Sequence, residues 1–227
     1  MAAPYRLFSL SLPHGVSEET WQKFYQSHHL ADVATGIGYN GHGTLYHVTT
    51  SATGRAPSDE KKYLSMYDTI DSHPLKSERY KDVKKTSHVL GENYLPKDLA
   101  HLSVRNYKLV EIFDPKNIGK EVQPARFFIC EEANPGGIEE LRNFYREEQV
   151  PKLARYPGYR RTLLHHFQSL DKGNDSPAST LTTHEFDNLE DFKSPGLRDL
   201  VEAGLNNKVM GPQQAIKTWT FELVHAV

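Results

Sequence analysis

Arg6-Leu7-Phe8 is matched 120 positions later by Arg126-Phe127-Phe128, and the same spacing joins Phe24-Tyr25 to Phe144-Tyr145 and Gly38-Tyr39 to Gly158-Tyr159. The matches then continue at a spacing of 117, from Leu64 to Leu181 and from Lys76-Ser77 to Lys193-Ser194. The first copy therefore has three extra residues in the polar stretch between these matches, where insertions cost little. A tandem duplication restricts the fold more strongly than local propensity does, so the sequence predicts two copies of one unit.

Each copy is predicted to contain a strand, a helix, two strands, a second helix and a closing strand. In copy one, the first helix is capped by Ser17 and ended by Gly36 and Gly38. The second helix is predicted at 74–86, and the strands at 5–12, 44–50, 62–70 and 102–113. Copy two has strands 125–131, 159–168, 180–187 and 216–225 and helices 138–155 and 189–205. The apolar spacing supports these assignments.

This order predicts an α+β protein built from two ferredoxin-like βαββαβ modules, residues 1–114 and 124–227, joined by a linker at 115–123. Helices cover only one face of such a sheet, so the other face needs a partner. A second copy in the same chain supplies it, and we expect the two sheets to form an intramolecular dimeric α/β-barrel. The alternative is two independent domains. The fused chain is expected to be a monomer or a homodimer.

Composition excludes several classes of function. A formal net charge of -2 gives no reason to expect nucleic acid or an anionic membrane as partner, and no apolar run is long enough to span a bilayer. We therefore expect a cytoplasmic protein. The single cysteine, Cys130, excludes an intrachain disulfide and thiolate-rich metal sites. Gly36-Ile37-Gly38 follows a helix instead of a strand, so it is no dinucleotide loop, and no cofactor is predicted.

The first helix of copy one carries the best candidate for acid–base chemistry. His29 follows Tyr25 by four residues, so the two side chains are neighbours on one helix face, and the hydroxyl could orient the imidazole or relay a proton to it. Imidazole titrates near neutral pH and can act without a cofactor. The alternative is that His28 and His29 only complete the helix, where positive charge complements its dipole.

Copy two places histidines on its middle strands. His184 lies on one strand, and His165 or His166 on the preceding strand is expected beside it if the two form a hairpin. We predict His184 and His166 as catalytic residues together with Tyr25 and His29. Two strand histidines could also bind a metal, but no third ligand stands at a diagnostic spacing, so no metal site is predicted.

Four further residues are predicted to contact the substrate. Tyr67 occupies the position equivalent to His184 of copy two, and Tyr46 the position equivalent to His166. Tyr39 follows a helix-ending glycine and could close a pocket mouth, and Arg126 begins a strand and could hold a carboxylate or enolate. The structural alternatives are that the tyrosine wedges its helix against the sheet and that the arginine forms an ion pair.

Two segments of copy two resemble a known family. Phe144-Tyr145-Arg146-Glu147-Glu148-Gln149-Val150-Pro151, followed by Tyr156-Pro157-Gly158-Tyr159, is similar to the Trp-Tyr-x-x-Glu-His-x-Pro … Pro-Gly-Tyr pattern of EthD-like dimeric α/β-barrel proteins. Thr183-His184-Glu185-Phe186-Asp187 resembles a second signature of tandem fungal members. The family histidine corresponds to Gln149 in copy two, whereas copy one keeps His29. The resemblance therefore implies the fold, with one chemical half and one structural half.

The resemblance does not select a reaction, because this superfamily includes cofactor-free oxygenases, polyketide cyclases, isomerases and heme-active proteins. The leading hypothesis is a cofactor-independent enzyme of secondary metabolism that cyclises, isomerises or eliminates within a hydrophobic, polyketide- or terpenoid-like molecule, including pericyclic ring closure. The alternatives are a cofactor-free monooxygenase of the anthrone-oxidising type and a non-catalytic protein that binds a hydrophobic metabolite.

Overall fold

The computed structural model describes residues 3–37, 39–49, 62–119, 123–194, 196–197, 199–201 and 217–227. Within these residues the strands are β1 (Tyr5–Pro13), β2 (Thr44–Thr49), β3 (Tyr63–Thr69), β4 (Ala100–Phe113), β5 (Phe127–Ala133), β6 (Tyr159–Lys172), β7 (Thr180–Phe186) and β8 (Lys217–Ala226). The α-helices are α1 (Glu18–Phe24), α2 (Leu30–Ile37), α3 (Glu78–Lys81), α4 (Pro96–Leu99), α5 (Ile138–Phe144), α6 (Val150–Leu153) and α7 (Leu189–Lys193).

The described strands close into one antiparallel barrel in the order β1-β3-β2-β8-β5-β7-β6-β4. Each half contributes four neighbouring strands, in the order fourth, first, third, second. The halves join where β2 pairs with β8 and where β4 pairs with β6. The chain is therefore an α+β protein with a shared barrel, and the alternative of two independent domains is wrong.

Strand alternation divides the core into layers. Phe8 on β1 and Phe128 and Cys130 on β5 belong to a cluster made of strand residues from both halves, which fills the barrel. Leu7, one position from Phe8, instead packs with Trp21 of α1 in the layer between the sheet and the first-half helices. The second of these layers holds the first-half helices against the outside of the barrel.

The first helical segment of each half contains the same irregularity. A π-helical turn, Tyr25–His29, separates α1 from α2, and another, Tyr145–Gln149, separates α5 from α6. In each turn the amide that follows donates to the tyrosine carbonyl five residues earlier, from Leu30 in the first half and Val150 in the second. The turns lie 120 positions apart, so the irregularity belongs to the repeated unit, and such bulges occur often at functional sites.

The predicted helix at 74–86 is shorter in the structure. A 3₁₀ turn at Pro74–Lys76 is interrupted by Ser77, which is extended and whose hydroxyl accepts a hydrogen bond from the Tyr80 amide, so a new helix, α3, begins there. β6 extends to Lys172 because it pairs with β4 of the other half, a contact that the repeat does not encode. Ser17 caps α1 as predicted.

Several predictions fall wholly or partly outside the described residues: the helix end at Gly38, part of the linker at 115–123, the end of helix 189–205 and the start of strand 216–225. Over the ranges given above, no helix is both long enough and apolar enough to cross a membrane.

Candidate active site in the first half

A cavity of about 100 Å³ lies between the sheet of the first half and its helices. Its lining includes apolar side chains, among them Leu7 and Val33. It also includes polar side chains, among them Ser9, Ser65, Tyr67 and His29. A mainly apolar pocket with a small number of convergent polar groups is the usual form of a small-molecule site.

The π-turn brings His29 to this cavity. Its imidazole stacks on the ring of Phe24, with centroids 4.3 Å apart, and meets the ring of Tyr25 edge-on at 5.3 Å. The Nδ1 atom is buried and has no hydrogen-bond partner among the described residues. A buried polar atom without a partner is costly, and at a cavity wall it is a candidate for contact with a ligand.

Burial also determines the protonation state of His29. Desolvation, together with the smaller effects of the His28 and Lys172 charges, lowers its pKa to about 3. The imidazole is therefore neutral at physiological pH and can accept a proton or a hydrogen bond.

Two tyrosines belong to the polar part of the wall. Burial raises the pKa of Tyr25 to about 12 and raises the pKa of Tyr67 well above its usual range, while Ser65 opposes part of both shifts by hydrogen bonding. Both hydroxyls remain protonated and can donate hydrogen bonds to a carbonyl or an oxyanion. The wall thus offers a proton acceptor and two donors.

The equivalent region of the second half contains a linear chain of hydrogen bonds among five buried side chains. Glu131 Oε2 accepts from the Tyr145 hydroxyl at 3.0 Å and lies 2.9 Å from His184 Nε2. His184 Nδ1 lies 2.7 Å from Thr162 Oγ1, which lies 2.6 Å from the Tyr159 hydroxyl. With the imidazole proton on Nε2, every link has one donor and one acceptor. All five side chains are fully buried.

Larger side chains also occupy the second half at the positions that line the first-half cavity. Leu7, Ser9 and Val33 correspond to Phe127, Ile129 and Leu153 by the 120-residue spacing, and each of the latter is buried in the core. Gln149, the counterpart of His29, donates from Nε2 to the carbonyl of Leu200 at 3.1 Å. Among the described residues, larger second-half side chains therefore occupy positions that line the cavity in the first half.

The structure brings only part of the predicted site together. Tyr25, His29 and Tyr67 line the cavity, whereas His184 lies in the buried chain of the other half. The expectation that His165 or His166 lies beside His184 is wrong, because the β6–β7 register places Thr162 opposite it. His166 is exposed and contacts Gln168.

The other predicted substrate contacts also lie away from the cavity lining. The Tyr46 hydroxyl donates to the carbonyl of Ala125 inside the barrel, and Tyr39 begins a 3₁₀ turn after α2. Arg126 is exposed and lies over the ring of Phe127, 5.2 Å from its centroid. The repeat does not preserve the arginine environment, since Arg6 is buried and pairs with Asp68.

Sequence reasoning missed the partners that matter in each half. Glu131 and Glu132 follow four apolar residues of β5, and acidic residues in such a strand are a signal for buried polar contacts. Lys172 lines the first-half cavity from the second half, and no local pattern indicates this, because it depends on β4–β6 pairing. Among the described residues, no group of three or more histidine, cysteine or acidic side chains could hold a metal ion.

No protein-family model and no curated protein matches this chain. Among solved structures, an anthrone oxidase-like protein is similar over 100% of this chain and 95% of its own, with a TM-score of 0.61 and 13% identity. A proposed monooxygenase from Fusobacterium nucleatum covers the same shares, with a TM-score of 0.52 and 13% identity. A mutant chlorite dismutase from Candidatus Nitrospira defluvii covers 99% and 93%, with a TM-score of 0.56 and 12% identity. The chain thus has the dimeric α/β-barrel fold.

Proposed function

We propose that this protein is a cofactor-independent enzyme that acts on a hydrophobic small molecule in the first-half cavity, with His29 as proton acceptor. The observation that carries the proposal is the neutral imidazole of His29, whose buried Nδ1 has no partner among the described residues and which lines a cavity with two protonated tyrosines. A neutral base beside hydrogen-bond donors is the minimum equipment for proton abstraction next to a carbonyl or from a phenol.

The proposed chemistry begins with transfer of a proton from an acidic C–H or O–H group of the substrate to His29. The hydroxyls of Tyr25 and Tyr67 donate hydrogen bonds to the resulting enolate or phenolate oxygen. The pKa of His29, about 3 without a ligand, rises when this oxyanion lies nearby, because an opposite charge favours the imidazolium. The apolar wall excludes water and strengthens both interactions.

The cavity volume limits how a substrate fits. About 100 Å³ is smaller than the roughly 300–1,000 Å³ of a typical ligand pocket, so the proposed substrate places its reacting ring inside and extends toward the open side.

Cyclisation, isomerisation or elimination is the first candidate reaction. The carbanion or enolate attacks an electrophile in the same molecule, expels a leaving group or recovers its proton from His29 at another atom, so no co-reactant is needed. A pericyclic closure belongs to the same class, since the cavity would hold the reactive conformer.

Oxygenation is the second candidate, and the fold shared with an anthrone oxidase-like protein and a proposed monooxygenase favours it. In that reaction the carbanion reacts with O₂, a methylene becomes a carbonyl, and the second oxygen atom leaves as water with the two hydrogens. The similarity concerns the fold, so the reaction is part of the proposal.

We further propose that the halves, 1–114 and 124–227 with the linker 115–123, are ferredoxin-like modules of a duplicated EthD-like ancestor. Their common strand order and matching π-turns support this origin. Divergence then left the base in one half only, because the position equivalent to His29 in the second half is Gln149.

The test is a comparison of metabolites, by high-resolution mass spectrometry, between the source organism and a strain lacking the gene. A compound that accumulates is then incubated with the purified protein. An unchanged elemental composition identifies a cyclase or isomerase, whereas gain of one oxygen with loss of two hydrogens, dependent on O₂, identifies the oxygenase. If the protein binds the compound without converting it, the enzyme proposal fails and a binding protein replaces it.

A further inference from the structure

We propose that the substrate of this site is an organic anion, an apolar ring system with a carboxylate group, and that Lys85, Lys97 and Lys172 bind the carboxylate at the cavity mouth. This inference rests on the proposed function, because it assigns a substrate class to the same cavity. It adds a second recognition element to the His29 wall.

Three separate elements bring the lysines together. Lys85 lies in the segment after α3, Lys97 in α4, and Lys172 at the end of β6. All three line the cavity and are also exposed, so they stand on its solvent side, and none of the lining residues is an aspartate or glutamate. The mouth therefore carries positive charge with no acidic side chain in the same wall.

These lysines have few competing partners. None of the described residues forms an ion pair with them, although Lys85 lies over the ring of Tyr80, 5.0 Å from its centroid. Partial desolvation lowers the pKa of Lys172, and the charges of Lys85 and Lys97 lower it further, while Asp171 opposes the shift. Mutual repulsion of this kind is relieved when an anion binds among the three charges.

The same electrostatic field reaches the proposed base. The charge of Lys172 contributes to the lowered pKa of His29, and both residues line the cavity. A carboxylate held at the mouth would place the attached ring against His29 and Tyr67, which sets the orientation that proton transfer requires. An ammonium group suits this role because it binds carboxylates as a point charge and tolerates several geometries.

Lys172 comes from the second half of the chain. In the β4–β6 ladder it lies opposite Val104, which itself lines the cavity. The anion site is therefore complete only when the two halves form one barrel, which gives the structural half a role in substrate recognition.

The test uses 2-naphthoate and its neutral isostere 2-naphthamide as ligands of the full-length protein, with dissociation constants measured by calorimetry at low ionic strength. The test variant carries Lys85→Gln, Lys97→Gln and Lys172→Gln. A matched control carries Lys76→Gln, Lys84→Gln and Lys108→Gln, which are exposed lysines outside the cavity lining, so both proteins lose three charges. The cavity-filling variant Val33→Phe shows whether the ligands occupy the cavity.

We expect wild type to bind the naphthoate roughly 30-fold more tightly than the amide, at about threefold per lysine. The triple cavity variant should bring this ratio near one, the control should keep it, and Val33→Phe should weaken both ligands. Equal affinities in wild type, or a preference that survives the cavity substitutions, would overturn the anion site but leave cavity binding and the proposed function intact. If neither ligand binds, both inferences fail.

Discussion

Tyr25 and Tyr145 occupy matching places in the two halves, yet the first faces a cavity and the second closes a hydrogen-bond chain. The difference arises from a few positions. Where the first half has Ser11, whose hydroxyl accepts from Trp21 Nε1 at 3.0 Å, the second half has Glu131, which reaches both Tyr145 and His184. Larger apolar residues fill the remaining space.

The comparison shows how a duplicated barrel can separate stability from chemistry. A buried hydrogen-bond chain makes a region rigid, even though Glu131 Oε1 has no partner among the described residues, whereas an unfilled cavity beside an unpartnered imidazole lowers stability in exchange for a place to bind. Because both halves share the barrel, the rigid half supports the half that stays open.

The largest effect is expected from breaking the chain in the second half. Glu131→Ala leaves the Tyr145 and His184 donors buried without an acceptor and should lower the free energy of unfolding by about 3–5 kcal/mol. The matched first-half change, Ser11→Ala, strands only the indole N–H and should cost about 1–2 kcal/mol. Denaturant unfolding measures both, and equal losses would contradict the distinction between the halves.

Removing single tyrosine hydroxyls is expected to change the stability differently in the two halves, by a smaller amount than the Glu131 substitution. Tyr145→Phe takes a donor from the Glu131 carboxylate and should cost about 1.5–3 kcal/mol. Tyr25→Phe removes a hydroxyl at a cavity wall and should change stability by less than about 1 kcal/mol. Thermal unfolding of both variants provides the measurement, and a larger loss for Tyr25→Phe would reverse the assignment.

The pH dependence of the free energy of unfolding should show the lowered pKa of His29. Its folded pKa of about 3 lies below the ordinary value of 6.5, so between these values the unfolded state binds more protons, and stability falls as pH falls from about 6.5 toward 3. His29→Gln should reduce this slope near pH 5 by about 1 kcal/mol per pH unit. Unfolding at several pH values tests this, with exposed His166→Gln as the control; an unchanged slope would exclude a buried neutral His29.

The smallest effect concerns cavity volume. Val33→Leu installs the second-half residue in the first-half cavity and should be neutral or stabilising by up to about 1 kcal/mol, because it fills empty space. The reciprocal Leu153→Val removes a methylene from a filled core and should cost about 1 kcal/mol. If Val33→Leu destabilises as much as its reciprocal, the first-half region is already filled.

Sequence alone predicted the features that repeat. The α+β barrel and the Ser17 cap follow from periodicity and from the spacing between copies. The pairing of Tyr25 with His29 also follows from their spacing of four residues, although the structure holds them in a π-turn, and their role in catalysis stays a prediction.

The rest depends on contacts that no local pattern records. The bulges in β6 and its register against β7 move His166 away from His184, and a change of strand register alters which side chains meet. Lys172 reaches the cavity only because β6 pairs with β4. The π-turns are invisible in apolar spacing, since an α-helix and a π-bulge differ there by one residue.

The most direct test compares the turnover of His29→Gln and Glu131→Gln on the compound identified by the metabolite comparison, at a temperature where both variants are folded. We expect that His29→Gln loses roughly 10²–10⁴-fold in rate with little change in stability, whereas Glu131→Gln loses stability and keeps its rate within about threefold. A His29→Gln variant that retains wild-type turnover, or a Glu131→Gln variant that loses it, would contradict the placement of the chemistry in the first half.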